Sequence, residues 1–240
     1  MSPKTYHQVF DVNTIHLWKV ADKIYAVSCP DGNVKNMLFC RCQEHYESPE
    51  FKTKKFKMED YIKWYKSQQG PDQKDFTYAQ DWSGFNLPSE TIEDCLANIE
   101  DENDWDIMMK SIIQTIREEE TEKFYLLGVE NMDMNGEDVL DHEISHGMFY
   151  TDQNYKREIE KLISQMDPKD RDIITNIILD YGYDMSVVPD EIGAYFTTGL
   201  AKKMKDQGLE KYLDIFTPVF NKYKSHHVKG PAREIKINWI

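Results

Sequence analysis

The sequence is short of cysteine, of positive charge and of long apolar runs, and each shortage removes a class of protein. Its four cysteines, Cys29, Cys40, Cys42 and Cys95, form no CxxC pair and are too few to staple a disulfide scaffold. They read as the reduced thiols of a cytoplasmic protein. Lys and Arg total 29 against 43 Asp and Glu, a formal net charge of −14. Such a surface repels phosphate backbones and no basic stripe offsets it, so nucleic acid is not an expected partner. No uninterrupted apolar run approaches the roughly 18 residues of a membrane span, and the first residues lack the apolar stretch of a secretory signal. A membrane partner is therefore not expected either. Internal repeats and low-complexity linkers are missing, as are a P-loop, a GxGxxG and a GxSxG.

What remains is a globular composition. In 240 residues, 40% are hydrophobic and 12% aromatic, enough for a sizeable core. Ile15–Val20, Lys23–Cys29 and Asn36–Cys42 are rich in β-branched and aromatic residues and predict strands, with turn chemistry at Pro30-Asp31-Gly32-Asn33. Tyr46–Gly84 is aromatic and charged, with a short helix predicted over Met58–Ser67. From Pro88 the period becomes helical. Helices are predicted from Ser89 to about Asn98, through Trp105–Ile116, from about Glu137 to Tyr150, through Tyr155–Ile163, from Pro168 to Gly182, from Pro189 through Leu200, and over Leu209–Tyr223. Asn135-Gly136 breaks the chain ahead of the third of these. Phe124–Val129 is short and apolar and predicts a buried strand; Ile235–Trp239 alternates and predicts a last one. The expected class is α+β. A strand-rich region, 1–87, precedes a mainly helical region, 88–240, with a small mixed sheet, as two units or one continuous domain.

The chemistry concentrates in His142-Glu143-Ile144-Ser145-His146, an HExxH. Residues four apart on a helix lie one turn apart on one face, so both imidazoles can reach a single metal ion. Glu143 stands beside them, placed to hold and deprotonate a water. Leu140 and Ile144 fall about 200° round the axis from His142, which turns the apolar face inward and the histidines the other way. A catalytic zinc needs a third protein ligand and an open position. Glu191 is the first candidate, on a later predicted helix where Gly193 and Ala194 allow close approach to the histidine helix. Asp190 and Asp152 are alternatives. Tyr195 lies one turn after Glu191. Donors for a developing oxyanion are Tyr183, Tyr195 and the pair His226-His227. Cys40-Arg41-Cys42 has the wrong spacing for a zinc knuckle and reads as core packing. Asp81–Asn86 reads as an aromatic loop, either lining a cleft or packed over the core.

HEISH followed downstream by Glu191-Ile192-Gly193-Ala194-Tyr195 resembles the zincin metallopeptidases of the gluzincin type, in which a Glu from a later helix completes the site. The likeness spans about Phe124 to Ala201. It implies a zincin-like fold, a Zn2+ cofactor held by His142, His146 and Glu191, Glu143 as general base, and a peptide or protein substrate. Where that family carries Asp or Ser four residues after the ligand Glu, this chain has Tyr195. Asp138, one turn before His142, is placed to orient an imidazole N–H instead. The expected activity is zinc-dependent amide hydrolysis. The alternatives are an HExxH amidase that does not cut peptides, such as a deformylase-like enzyme, and a non-catalytic interaction protein that keeps the fold.

Overall fold

The computed structural model describes residues 11–69, 75–80, 82, 84–97, 99–130 and 137–240; for 137–139 only the backbone path is described. The Asn135-Gly136 break, Asn98, the Asp138 side chain, and Asp81 and Ser83 of the aromatic loop lie outside them. Five strands form one mixed sheet in the order β3-β4-β2-β1-β5. β1 (His16–Ala21) and β2 (Ile24–Cys29) form an antiparallel hairpin. β4 (Tyr125–Glu130) runs parallel to β2, from Ile24 opposite Tyr125 to Cys29 opposite Glu130. β3 (Phe85–Pro88) and β5 (Arg233–Ile235) are short antiparallel edges on β4 and β1. The boundary expected at 87/88 falls inside β3, and the sheet draws strands from both sides of it.

Helices cover both faces, and the strand period of two decides what each face holds. Tyr25, Val27 and Leu126 point into one core with α1 (Gly32–Glu47), α2 (Met58–Gln68), α3 (Ser89–Ala97) and α4 (Asp104–Arg117). Ile24, Ala26, Tyr125 and Leu127 point into the other. That core belongs to α5 (Glu137–Thr151), α6 (Gln153–Gln165), α7 (Pro168–Asp180), α8 (Val188–Thr198), the single turn α9 (Lys202–Lys205) and α10 (Leu213–His227). Burial on both faces is why β2 and β4 read as continuous apolar runs. No helix among the described residues is long and apolar enough to cross a membrane.

The helix starts follow local chemistry. Asn103 and Asp106 cap each other's backbone N–H groups at the start of α4. Asp152 caps α6, and Asp167 with Pro168 opens α7.

Two sequence expectations are corrected. Asn36–Cys42 is not a strand but the middle of α1. Asp31 accepts from the Val34 N–H and caps the helix, and the turn expected at Pro30–Asn33 becomes its first residues. The misreading has a physical cause. α1 is buried nearly all round, so it carries no polar stripe to reveal a 3.6-residue period. Even Arg41 is buried there, held by Asp106 at 2.9 and 3.0 Å and by Asp101 at 3.1 Å, which ties α1 to α4. Cys40 and Cys42 flank it in the core, and all four cysteines are free and buried. The second correction concerns Gly193. A Cβ there would come within 2.9 Å of Ile159, so this glycine lets α8 approach α6, not the histidine helix. The glycine that serves the histidine helix is Gly147. A Cβ at that position would lie 2.6 Å from Ile24 Cδ1, so its absence lets α5 lie directly on β2.

Candidate metal centre

α5 places His142 and His146 one turn apart, and their Nε2 atoms converge to 3.3 Å. α8 packs against α5 and brings Glu191 in, its Oε1 3.8 Å from His146 Nε2. One ligand atom from each of the three lies within 4.8 Å of the others. Zinc–nitrogen bonds of about 2.0–2.1 Å in a tetrahedral shell set neighbouring ligands about 3.3 Å apart, the spacing of this imidazole pair. His146 and Glu191 are buried, and His142 is half-buried. Glu191 Oε2 is buried with no hydrogen-bond partner, an orphan acceptor of the kind a cation satisfies. The donor set of two imidazoles and a carboxylate therefore fits a metal ion.

The supporting contacts fix which nitrogen of each ring is free. Thr198 spends its single hydroxyl hydrogen on Ala194 O at 2.8 Å. It must then accept from His142 Nδ1–H, 3.2 Å away, which leaves the His142 Nε2 lone pair facing the centre. His146 Nδ1 lies 3.0 Å from Asp190 Oδ1, turning its own Nε2 the same way. Two lone pairs at this separation repel unless a cation or a proton stands between them. Of the two rings, the surrounding carboxylates favour the proton on His146. Burial and the neighbouring His146 push His142 down to about 3. Burial opposes charge on His146 as well, but Asp190, Glu191 and Glu143 outweigh it and lift the imidazole to about 10. Burial raises Glu191 to about 7 against the pull of His146.

Glu143 is held from the sheet. Asn86 on the edge strand β3 donates Nδ2–H to Glu143 Oε2 at 3.1 Å, and Tyr125 OH donates to Asn86 Oδ1 at 2.9 Å. The carboxylate, which can only accept, fixes which end of the amide faces it, and the Tyr125 hydroxyl, able to donate or accept, fits that orientation by donating. Burial raises the Glu143 carboxyl above its ordinary value, with His146 and the Asn86 bond opposing. A carboxyl raised above its ordinary value and still held in place is suited to accepting and passing on a proton. The group faces a cleft of about 670 Å³ between the β3 edge, the ends of β4 and α1, and helices α5 and α8.

The sequence candidates separate clearly. His142, Glu143, His146 and Glu191 come together, with Asp190 beside His146. Asp152 does not join them: it caps α6 and pairs with His227 Nε2 at 2.9 Å. His226 and His227 end α10 and do not line the cleft. Tyr183 lines it, half-exposed, and its hydroxyl is hydrogen-bonded to that of Tyr195. Tyr195 packs its ring edge-on against His142 at 5.2 Å. Of the expected aromatic loop, Trp82, Gly84, Phe85 and Asn86 line the cleft, but Phe85 and Asn86 belong to β3, whose four residues are too short to read as a strand. The hold of Asn86 on Glu143 and of Thr198 on His142 is what sequence reasoning missed, because both are contacts between distant segments. Comparison with known protein families, with curated proteins and with solved structures finds no match to this chain.

Proposed function

We propose that this chain is a zinc-dependent metallohydrolase of the zincin class, most simply a peptidase. The observation that carries the reading is the convergence of His142 Nε2, His146 Nε2 and the Glu191 carboxylate on one point beside Glu143. The order of elements supports it, since the buried strand β4 leads into the HExxH helix and the third ligand follows on a later helix. Zinc in such a set supplies Lewis-acid polarisation of a scissile carbonyl and lowers the pKa of an attacking water. Glu143, with one oxygen held by Asn86, takes the proton of the attacking water on its other oxygen and delivers it to the leaving nitrogen. Thr198 keeps His142 in the ligating tautomer, and the Asp190 carboxylate, 3.0 Å from His146 Nδ1, favours the proton on that nitrogen. Tyr183 at the cleft wall, protonated at neutral pH like any tyrosine, serves as the donor to the developing oxyanion by turning its hydroxyl hydrogen from Tyr195.

The test is digestion of a defined peptide mixture, read by mass spectrometry, with zinc, with a chelator, and with Glu143→Gln. Cleavage that needs both zinc and Glu143 is expected. Cleavage that survives the chelator, or no cleavage of any peptide by zinc-loaded protein, overturns the reading.

A further inference from the structure

The cleft over the metal centre continues into a second cavity of about 590 Å³. Gln43, Tyr46, Glu47, Trp82, Tyr183 and Val187 line both. The walls of the second cavity are aromatic. Tyr61 meets the rings of Trp64, Tyr65 and Tyr78 at centroid distances of 5.9 to 6.0 Å. The C-terminal half of α1 supplies Glu44, buried, and Glu47. Lys52, exposed, is the one lysine or arginine among the described residues that line either cavity.

Two further observations point to a ligand. Gln43 is 6% exposed. Its Nε2 donates to Glu47 Oε2 at 2.8 Å, while its Oε1 accepts nothing. At the mouth, Trp82, Tyr181 and Tyr183 are exposed between 39% and 40%. Large apolar side chains gathered at one opening mark a surface that a partner covers. The cavity therefore offers aromatic faces, carboxyls and an acceptor lacking a donor. One ligand chemistry complements all three: a flexible apolar stem ending in a positively charged group rich in N–H donors. An aromatic side chain would fill the walls but bring no N–H donor to the Gln43 oxygen and no cation to the carboxyls, whose present neutral partners are the Gln43 amide on Glu47 and Tyr61, Tyr78 and Ser48 on Glu44. An acidic one would be repelled.

We propose that this cavity is the specificity pocket for a lysine or arginine side chain of the peptide substrate, its stem along the aromatic wall that Tyr61, Trp64 and Tyr78 form and its cation beside Glu44 and Glu47. The assignment rests on the peptidase reading and narrows it to basic peptides. Burial raises the Glu44 carboxyl, and a cation placed beside it offsets that cost, while Glu47 is exposed at the rim. The acidic cleft, with no lysine or arginine of its own among the described residues, draws such peptides in from solution.

The experiment measures binding and cleavage separately. Three peptide series carry lysine, norleucine or glutamate at one position, scanned along an otherwise neutral sequence. Calorimetry reads their affinity for the intact 240-residue, zinc-supplied Glu143→Gln chain, and mass spectrometry reads their cleavage by the native chain. At one position the lysine peptide is expected to bind at least about tenfold tighter than norleucine, with glutamate weakest. Glu47→Gln and Glu44→Gln, each added to Glu143→Gln, should each reduce the lysine-to-norleucine ratio severalfold. A ratio does not fall merely because less protein is folded, and Glu47→Gln, away from the buried Glu44 cluster, is the safer of the two. Equal lysine and norleucine affinities at every position overturn the pocket, as does a ratio unmoved in both variants. Cleavage without charge preference sinks the pocket alone. Charge-selective binding with no cleavage sinks the peptidase reading alone.

Discussion

Thr198→Val tests how the metal centre is held. Valine matches threonine in shape but cannot accept the hydrogen bond from His142 Nδ1–H, now 3.2 Å from the hydroxyl. The imidazole must then either keep an unsatisfied donor or turn away from the ligating orientation. An unsatisfied buried donor costs about 1–3 kcal/mol, and each 1.4 kcal/mol is about tenfold in a dissociation constant. His142 is only half-buried, so the lower part of that range applies and zinc affinity should fall about tenfold. Competition against a chromophoric chelator at fixed pH measures it, with circular dichroism to confirm the fold. Thr197→Val is the control. Its hydroxyl donates to Ala194 O at 3.1 Å and reaches Ser145 Oγ at 3.3 Å, within the network that braces α5 against α6 and α8. That variant should lose stability and keep its zinc affinity. Unchanged affinity in a folded Thr198→Val protein would refute the tautomer argument.

Other perturbations separate chemistry, ligation and scaffold. Glu143→Gln should bind zinc as the native protein does and lower peptide turnover by about 10²-fold or more, read as kcat at saturating peptide. Glu191→Gln should weaken zinc binding in the same competition assay, whereas Asp152→Ala should leave it unchanged. The cost of Asp152→Ala is stability, about 1 kcal/mol at pH 7 from the lost helix cap, read by denaturant melts. The pH dependence follows from the sign of the shift. Burial opposes ionisation of Asp152, but His227 and the N–H groups of Tyr155 and Asn154 outweigh it and hold the carboxyl below its ordinary value. Stability from a depressed carboxyl is complete above the unfolded value of about 3.9 and is lost as pH falls through the lower native one. The gap between the native protein and Asp152→Ala should therefore shrink only in strong acid. Gly147→Ala drives a methyl group against Ile24 and should cost about 1–3 kcal/mol, with a lowered Tm.

The part of the site visible in the sequence is the part that is local. The four-residue spacing of His142 and His146 needs only a helix, and the 137–151 helix is there. Glu191 was reachable because a carboxylate opening a later helix is a restricted choice. Asn86, Thr198 and the neighbourhood of Glu47 depend on how β3, α8 and the end of α1 meet, and no spacing in the chain records that. The fold divides in the same way. Helices with one buried stripe, such as α4 and α6, were legible, and so were β2 and β4 as unbroken apolar runs. α1 was not, because burial on nearly every side erased its period. β3 was too short, and the last strand pairs at Arg233–Ile235, just before the alternating tail that suggested it.

The central claim is that His142, His146 and Glu191 hold one metal ion between them. Its most direct test is the metal content of purified protein, equilibrated with zinc, freed of excess by gel filtration and analysed by mass spectrometry. One zinc per chain is predicted for the native protein and for Glu143→Gln, and essentially none for a folded His146→Ala. Well under one zinc in the native protein, or full zinc retained by His146→Ala, would contradict it.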